Sequence, residues 1–449
     1  MRGLDTRSGA GPRRRPTHRV PLAAVWATGG LALVLSFVLL WLFGQPEDLG
    51  VYRSASALAL NGQDRLYDTG SDVLPYTYPP IAAFLLAPVT LLPAPMAAVL
   101  VLLLNLLFLW RITWLFLGKG PAVAVLLLPL ARLVEPVWQT FSFGQVNLLL
   151  AWLIAEDLLN GRRRRWAGTL IGLAILVKLT PAAFLLVPLV RRDLASLTRS
   201  FLTVCAGVVV GFLLLPASSA TYWSGLLGAS ARVGGPDYIA NQSLAGAMAR
   251  AGIGSHTGTG PVWALLCLVV VTLATIAVHR AVRAGRDRHA VLAASLCALL
   301  ISPISWSHHW VWVWPLLLLW CSGALARVTP ESVEQVQPWP TDHPSVLPPR
   351  PRTFAQGVRE TLSLLKRACA AVSRSSSDRA ARALAFAWVT VTVSHVLWWA
   401  FPARGNWAAL PVWQLVLASV YAILGTASLA WCAFHTDPAA DRRAGNGVP

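Results

Sequence analysis

The residues able to do chemistry are few and fall in short clusters. A carboxylate, Asp48, follows a long apolar run by only a few positions, in Glu47-Asp48-Leu49-Gly50-Val51-Tyr52-Arg53. Held near a hydrocarbon boundary, such a group is partly desolvated, which moves its pKa toward the working range of a general base. Lys178, in Lys178-Leu179-Thr180-Pro181, lies between apolar runs with no carboxylate nearby in sequence. An ionisable residue in such a place is a functional candidate by default and could hold a phosphate, although a lysine snorkelling to the headgroup layer would have the same surroundings. His308 and His309 stand between Trp306 and Trp310. Adjacent residues point to different helix faces, so at most one of the two faces a common site. They suit phosphate binding or leaving-group activation better than metal binding, because no HxxxH or supporting Cys and Asp spacing accompanies them. Arg53 is a further cation for phosphate. The amides Gln145, Asn147, Asn241 and Gln242, near expected helix ends, can hold sugar hydroxyls and can equally cross-link helices. Tyr52, Tyr78 and Trp306 add amphipathic rings on which a sugar acceptor could lie.

The elements that position these clusters belong in a bilayer. Of 449 residues, 56% are hydrophobic and 12% charged, against roughly 25% charged in soluble domains. Apolar stretches near the ~20 residues that cross a hydrocarbon core as a helix recur along the chain. The net charge of +18 sits in short basic clusters between these stretches, which reads as a topology signal and excludes a nucleic-acid surface. Placing those clusters in the cytoplasm gives a tail 1–20 and a membrane catalytic domain 21–326 with extracytoplasmic loops 44–79 and 217–260. A cytoplasmic, partly disordered segment 327–381, C-terminal membrane helices 382–435 and a cytoplasmic tail 436–449 follow. The fold class is an all-α polytopic membrane protein with about 12 spans, some short or re-entrant. Parity requires one segment between 80 and 160 not to cross; 80–93, short and proline-rich, is the first choice, and 121–137 the second. Residues 166–190 are too short for two full spans and read as a hairpin with Lys178, Thr180 and Pro181 at its apex. On this map nearly every polar cluster falls on the outer side. The run 21–43 is too long for a signal peptide and lacks an A-x-A site, so it reads as an uncleaved first span. The six cysteines fall in spans or in the cytoplasmic segment, where no disulfide is expected.

Taken in order, the clusters resemble glycosyltransferase family 87, actinobacterial polyprenol-phosphate-mannose-dependent α-(1→2) mannosyltransferases of the C-type multispan glycosyltransferase fold. The carrying residues are Asp48 to Arg53, Asn61-Gly62, Leu66-Tyr67-Asp68, Tyr78-Pro79-Pro80 and Gly144-Gln145-Val146-Asn147. Lys178 to Pro181, Asn241-Gln242-Ser243 and Ser302-Pro303-Ile304-Ser305-Trp306 with His308-His309 complete the series, which spans residues 48 to 310.

The resemblance implies mannosyl transfer from polyprenyl-phosphate mannose to a mannosylated glycolipid, on the extracytoplasmic face of the plasma membrane. The acceptor would be a phosphatidylinositol mannoside, lipomannan or lipoarabinomannan. It places the catalytic base on Asp48 and donor-phosphate contacts on Lys178 and on His308 or His309, with Arg53 kept as a further phosphate-binding candidate. Acceptor or sugar contacts would fall to Tyr52, Tyr78, Gln145, Asn147, Asn241, Gln242 and Trp306. No cofactor is called for, and metal dependence is left open. Asp68 and Asp72, in the same loop, are the competing carboxylates. An arabinofuranosyltransferase using decaprenyl-phosphate arabinose would need the same base and phosphate holders; a flippase of lipid-linked sugar is the alternative of a different class.

Overall fold

The structure, a computed structural model, describes residues 22–43, 46–68, 74–89, 91–118, 120–161, 164–226, 234–253, 259–320, 379–401 and 411–434. Both expected tails, Asp72 and nearly all of the segment 327–381 lie outside the described residues. The described chain is helical, with one isolated antiparallel bridge between Asn241 and Trp306.

In chain order the helices are α1 (Leu22–Phe43), α2 (Glu47–Leu60), α3 (Pro80–Leu85), α4 (Ala94–Leu117), α5 (Pro121–Leu126), α6 (Leu128–Leu133), α7 (Glu135–Phe143), α8 (Asn147–Ala155), α9 (Thr169–Val177) and α10 (Leu186–Val190). They continue with α11 (Leu194–Leu214), α12 (Pro216–Thr221), α13 (Leu244–Arg250), α14 (Pro261–Arg283), α15 (Asp287–Ile301) and α16 (Val313–Trp320). Beyond the undescribed stretch come α17 (Arg379–Ser394), α18 (Val396–Trp399), α19 (Val412–Ala418) and α20 (Val420–Phe434).

Among the described residues three helices, α4, α11 and α14, are long and apolar enough to cross a membrane, and two bent pairs raise this to five if each counts as one span. At 1.5 Å per residue these three run for roughly 32–36 Å, enough for a ~30 Å hydrocarbon core. Leu202, Leu213, Leu265 and Leu268 on α11 and α14 are exposed, as a lipid-facing surface requires.

Several runs that look continuous in the sequence are broken. The run 121–143 bends by 85° before Glu135, and 412–434 bends by 69° at Ser419. The run 384–401 breaks at His395, in the left-handed region with φ 53°. Irregular backbone at membrane depth is tolerated where protein covers it or where it lines a cavity, because its polar groups then find partners.

Two ends of the bundle can be told apart along α4. At its start, Arg53 Nη1 donates to the carbonyls of Val89 and Leu92 at 2.9 and 2.7 Å, tying α2 to this end. Near its finish, Arg288 Nε donates to the carbonyl of Leu115 at 2.9 Å, and Arg111 forms a two-pronged salt bridge with Glu156, both contacts 2.9 Å. The basic residues Arg111, Arg191, Arg280 and Arg288 thus gather at one end, and Asp48 lies toward the other. Residues 80–92 begin and finish at the Asp48 end, since Tyr78 meets Tyr52 and Leu92 meets Arg53.

The segment 166–190 turns back on itself. Asp157 accepts from the backbone N–H of Gly168 and Ile171, at 2.7 and 3.0 Å, and Arg191 lies 3.5 Å from the carbonyl of Leu158. Both ends are therefore anchored at the basic end, and Lys178 stands at the turn between them. Helices α8, α9 and α15 are shorter than the full spans and stop part-way. Their far ends deliver Asn147, Lys178 and Ser302 to one place.

Candidate active site

That place is a cavity of about 310 Å³ whose lining includes Asp48, Tyr78, Gln145, Lys178, Trp306 and His309. Asp48 occupies the first turn of α2, where the helix dipole favours a carboxylate. Burial pushes its carboxyl up to about 6, opposed by a hydrogen bond from the Gln145 side chain and by the charge of Lys178, with Glu47 adding a little upward push. A carboxylate tuned in this way is suited to taking a proton near neutral pH.

Gln145 reaches Asp48 because α7 ends at Gly144 in the left-handed region, φ 65°. A Cβ at Gly144 would lie 2.8 Å from Pro46 Cβ and 3.0 Å from Leu49 Cβ, so the close approach of α7 to the start of α2 requires glycine. The Gln145 amide is oriented by its other partners: Oε1 accepts from Tyr52 OH at 2.8 Å and lies 3.4 Å from Tyr78 OH. The two phenols meet at 2.9 Å. With the carbonyl turned to the tyrosines, the amide N–H₂ is left for Asp48. Burial raises both phenols well above their ordinary range, so they stay protonated donors.

Across the cavity, α9 stops because Lys178 is extended (φ −153°, ψ 139°) and Pro181 follows. The Lys178 Nζ sits 2.7 Å from His309 Nε2 and 5.8 Å from the centre of the Tyr78 ring. His309 belongs to a 3₁₀ turn, Ser307–Trp312, and its Nδ1 accepts from the backbone N–H of Trp306 at 3.2 Å. Below, a smaller cavity of about 50 Å³, sharing Lys178, Thr180, Ser302 and His309 and reaching Asn147, has room for a water or two.

Of the expected site residues, Asp48, Tyr78, Gln145, Lys178, Trp306 and His309 share the main cavity, with Tyr52 packed behind Tyr78. The others are elsewhere. Arg53 is engaged with the carbonyls of Val89 and Leu92, away from the cavity lining. Only one histidine faces the site: the His308 ring packs edge-on against Phe143, and its carbonyl accepts from Thr140 Oγ1 and Asn147 Nδ2, each at 3.0 Å. Asn241 and Gln242 are fully buried and frame the cavity from outside. The Asn241 side chain accepts from Ser305 N–H at 2.9 Å, and the Gln242 amide donates to the Ile239 and Ala418 carbonyls, both at 2.7 Å. Asp68 is exposed and absent from the cavity lining.

Two aromatic residues not singled out for a role also line the wall, Tyr67 and Tyr222, stacked with centroids 5.8 Å apart. Tyr222 had no signal beyond its type, since it fell in the expected outer loop 217–260; the structure puts it in a helical turn, Tyr222–Leu226, that continues from α12. Glu135, fully buried beside the 3₁₀ turn, was missed although a carboxylate within an apolar run is a signal in itself.

Residues 76–303 match glycosyltransferase family 87. The chain is 36% identical over 304 residues to a polyprenol-phosphate-mannose-dependent alpha-(1-2)-phosphatidylinositol mannoside mannosyltransferase of Mycolicibacterium smegmatis, covering 61% of this chain and 69% of that protein. The chain belongs to glycosyltransferase family 87. It is also 35% identical over 358 residues to a polyprenol-phosphate-mannose-dependent alpha-(1-2)-phosphatidylinositol pentamannoside mannosyltransferase of Mycobacterium tuberculosis, covering 74% of this chain and 80% of that one. An alpha-(1->3)-arabinofuranosyltransferase of Corynebacterium glutamicum is 30% identical over 221 residues, 46% of this chain and 52% of that protein. No solved structure matches. The family 87 match contains Tyr78, Gln145 and Lys178, whereas Asp48, Trp306 and His309 come from outside it and are brought in by the fold. As a family 87 member this protein is a glycosyltransferase with the apolar helices of a membrane enzyme.

Proposed function

We propose that this chain transfers mannose from polyprenyl-phosphate mannose to a phosphatidylinositol mannoside, forming an α-(1→2) linkage on the extracytoplasmic side of the plasma membrane. The observation that carries the reading is the shared cavity, in which a carboxylate with its pKa near 6 and the Lys178–His309 pair face one space. The names of the relatives supply the sugar, the carrier and the acceptor. The greater length matched in the mannosyltransferases favours mannose over arabinose. Lipomannan and lipoarabinomannan are further acceptors of the same chemistry.

The mechanism is a single displacement with inversion. Asp48 takes the proton of the acceptor 2-hydroxyl as its oxygen attacks the anomeric carbon of the β-linked donor. The bond from that carbon to the phosphate oxygen breaks, and its electron pair leaves with polyprenyl phosphate. Negative charge grows on the phosphate in the transition state, so Lys178 and His309 stabilise it more than the ground state. A double displacement would need a second positioned carboxylate; among the described residues Asp48 is the only one lining the cavity.

The test is transfer of radiolabelled mannose by the purified protein to a phosphatidylinositol mannoside, with Asp48→Asn beside it. Transfer by wild type, lost in the variant while donor binding persists, supports the reading. Transfer from decaprenyl-phosphate arabinose alone would reassign the sugar. Movement of lipid-linked sugar across vesicles by Asp48→Asn, with no glycosidic bond formed, would replace the enzyme by a flippase.

A further inference from the structure

Three hydrogen-bond donors from distant parts of the chain converge on one buried carboxylate. Glu135, at the first position of α7, is fully buried. Its Oε1 accepts from Ser307 Oγ at 2.8 Å and from Trp398 Nε1 at 2.7 Å, and its Oε2 accepts from Tyr421 OH at 2.7 Å. Ser307 opens the turn that carries His309, and Trp398 and Tyr421 belong to α18 and α20.

The turn needs such a pin. A 3₁₀ run of six residues is long for that geometry, and Trp310 departs from helical dihedrals (φ −78°, ψ 24°). Beyond its own His309 N–H to Trp306 carbonyl bond, the turn is held by side chains: Thr140 and Asn147 donate to the His308 carbonyl, Asn241 accepts from the N–H of Ser305 just before it, and Glu135 accepts from the Ser307 hydroxyl. The Trp310 ring of the turn packs against Trp388 and Tyr421 of the C-terminal helices, which lie outside the residues matched to the family, and Glu135 supplies the hydrogen-bonded link between the turn and those helices.

We propose that Glu135 is a positioning residue for the phosphate end of the site: through Ser307 it sets the 307–312 turn so that His309 meets Lys178, and through Trp398 and Tyr421 it makes the C-terminal helices part of that support. Asp48, Gln145 and Tyr52 are held at the other end of α7 by separate contacts. Loss of the pin therefore disturbs the donor side and leaves the base and acceptor side intact. The inference rests on the proposed donor reading of Lys178 and His309.

The test uses the purified full chain with two readouts, steady-state transfer and binding of polyprenyl phosphate followed by tryptophan fluorescence. In Glu135→Leu the donor KM rises and kcat falls, together by up to about a hundredfold, the scale reached when a mutation away from the chemistry misplaces a group by about 1 Å. The acceptor KM and the acid limb of the pH profile stay as in wild type, and polyprenyl phosphate binds more weakly. Glu135→Gln recovers most of the loss, because its carbonyl can still accept from Ser307 and Trp398 while its amide turns to the Tyr421 oxygen. Unchanged donor kinetics in folded Glu135→Leu, or equal damage to donor and acceptor KM, overturns the proposal. If that variant does not fold, the double variant Trp398→Phe with Tyr421→Phe decides, since it deletes two donors and leaves an aromatic ring at each position; wild-type donor kinetics there also overturn it. If wild type transfers no mannose, the proposed function fails, and the polyprenyl phosphate readout still decides whether Glu135 positions a phosphate site.

Discussion

Asp48 couples activity and stability to pH in opposite directions. Its carboxyl titrates near 6 in the folded protein against an ordinary value of 3.8. As the proposed base it must be ionised, so transfer should fall as pH drops through about 6; a pH–rate profile whose acid limb lies below 5 would contradict this. The charge of Lys178 lowers the Asp48 value. In Lys178→Met the acid limb therefore moves to higher pH, in addition to any loss of donor affinity. Because the folded value lies above the unfolded one, the protonated carboxyl is the form the fold prefers. Its stability contribution is complete below 3.8 and is lost as pH rises through 6. Asp48→Asn should thus lose about 10²–10⁴-fold in turnover, yet be more stable than wild type above pH 6 by about 1–3 kcal/mol, and so melt higher. Thermal unfolding in detergent at pH 5 and pH 8 checks the sign, since the gain should shrink at the lower pH.

The helix ends, more than the helices, make the site. Gly144 places Gln145, the break at Lys178 aims the cation, and the 3₁₀ turn aims His309. Gly144→Ala should destabilise by about 1–2 kcal/mol for the left-handed backbone alone. The steric push against Pro46 should also lower kcat more than donor affinity, measurable by comparing turnover with polyprenyl phosphate binding. The sequence carried some of this plainly. Asp48 and Lys178 stand out as charges in apolar surroundings, and the hairpin was legible because arginines bound a stretch too short for two spans. What could not be read was the direction in which a polar side chain points. Arg53 shares a cluster with Asp48 yet donates to main-chain carbonyls more than thirty residues away, and Asn241 and Gln242 are likewise taken up by main-chain groups, including the Ser305 N–H and the Ala418 carbonyl. The breaks at His395 and Ser419 were equally hidden, because no proline or glycine marks either one.

At the scale of the whole molecule the polar ends face opposite ways along α4. Leu74 is exposed at the cavity and Gly285 is exposed at the basic end. In a background with the native cysteines replaced by serine, Leu74→Cys should react with a membrane-impermeant maleimide on intact cells. Gly285→Cys should react only after permeabilisation; the reverse pattern would turn the active site to the cytoplasm.

One further consequence concerns the lipid around the protein. Helix α9 climbs for only nine residues from its anchor at the basic end, about 14 Å, while α4, α11 and α14 continue to full height. If the cavity opens on the outer leaflet, as proposed, and the basic end lies at the inner boundary, Lys178 stands well below the level of the outer-leaflet phosphates. On the proposed reading a carrier lipid would then have to sink its head toward Lys178, or the leaflet thin around it. Either adjustment becomes harder as the host acyl chains lengthen. Catalysis should then depend on membrane thickness even where the aqueous conditions are identical, so that a stiff, long-chain envelope would act as a brake on the enzyme embedded in it.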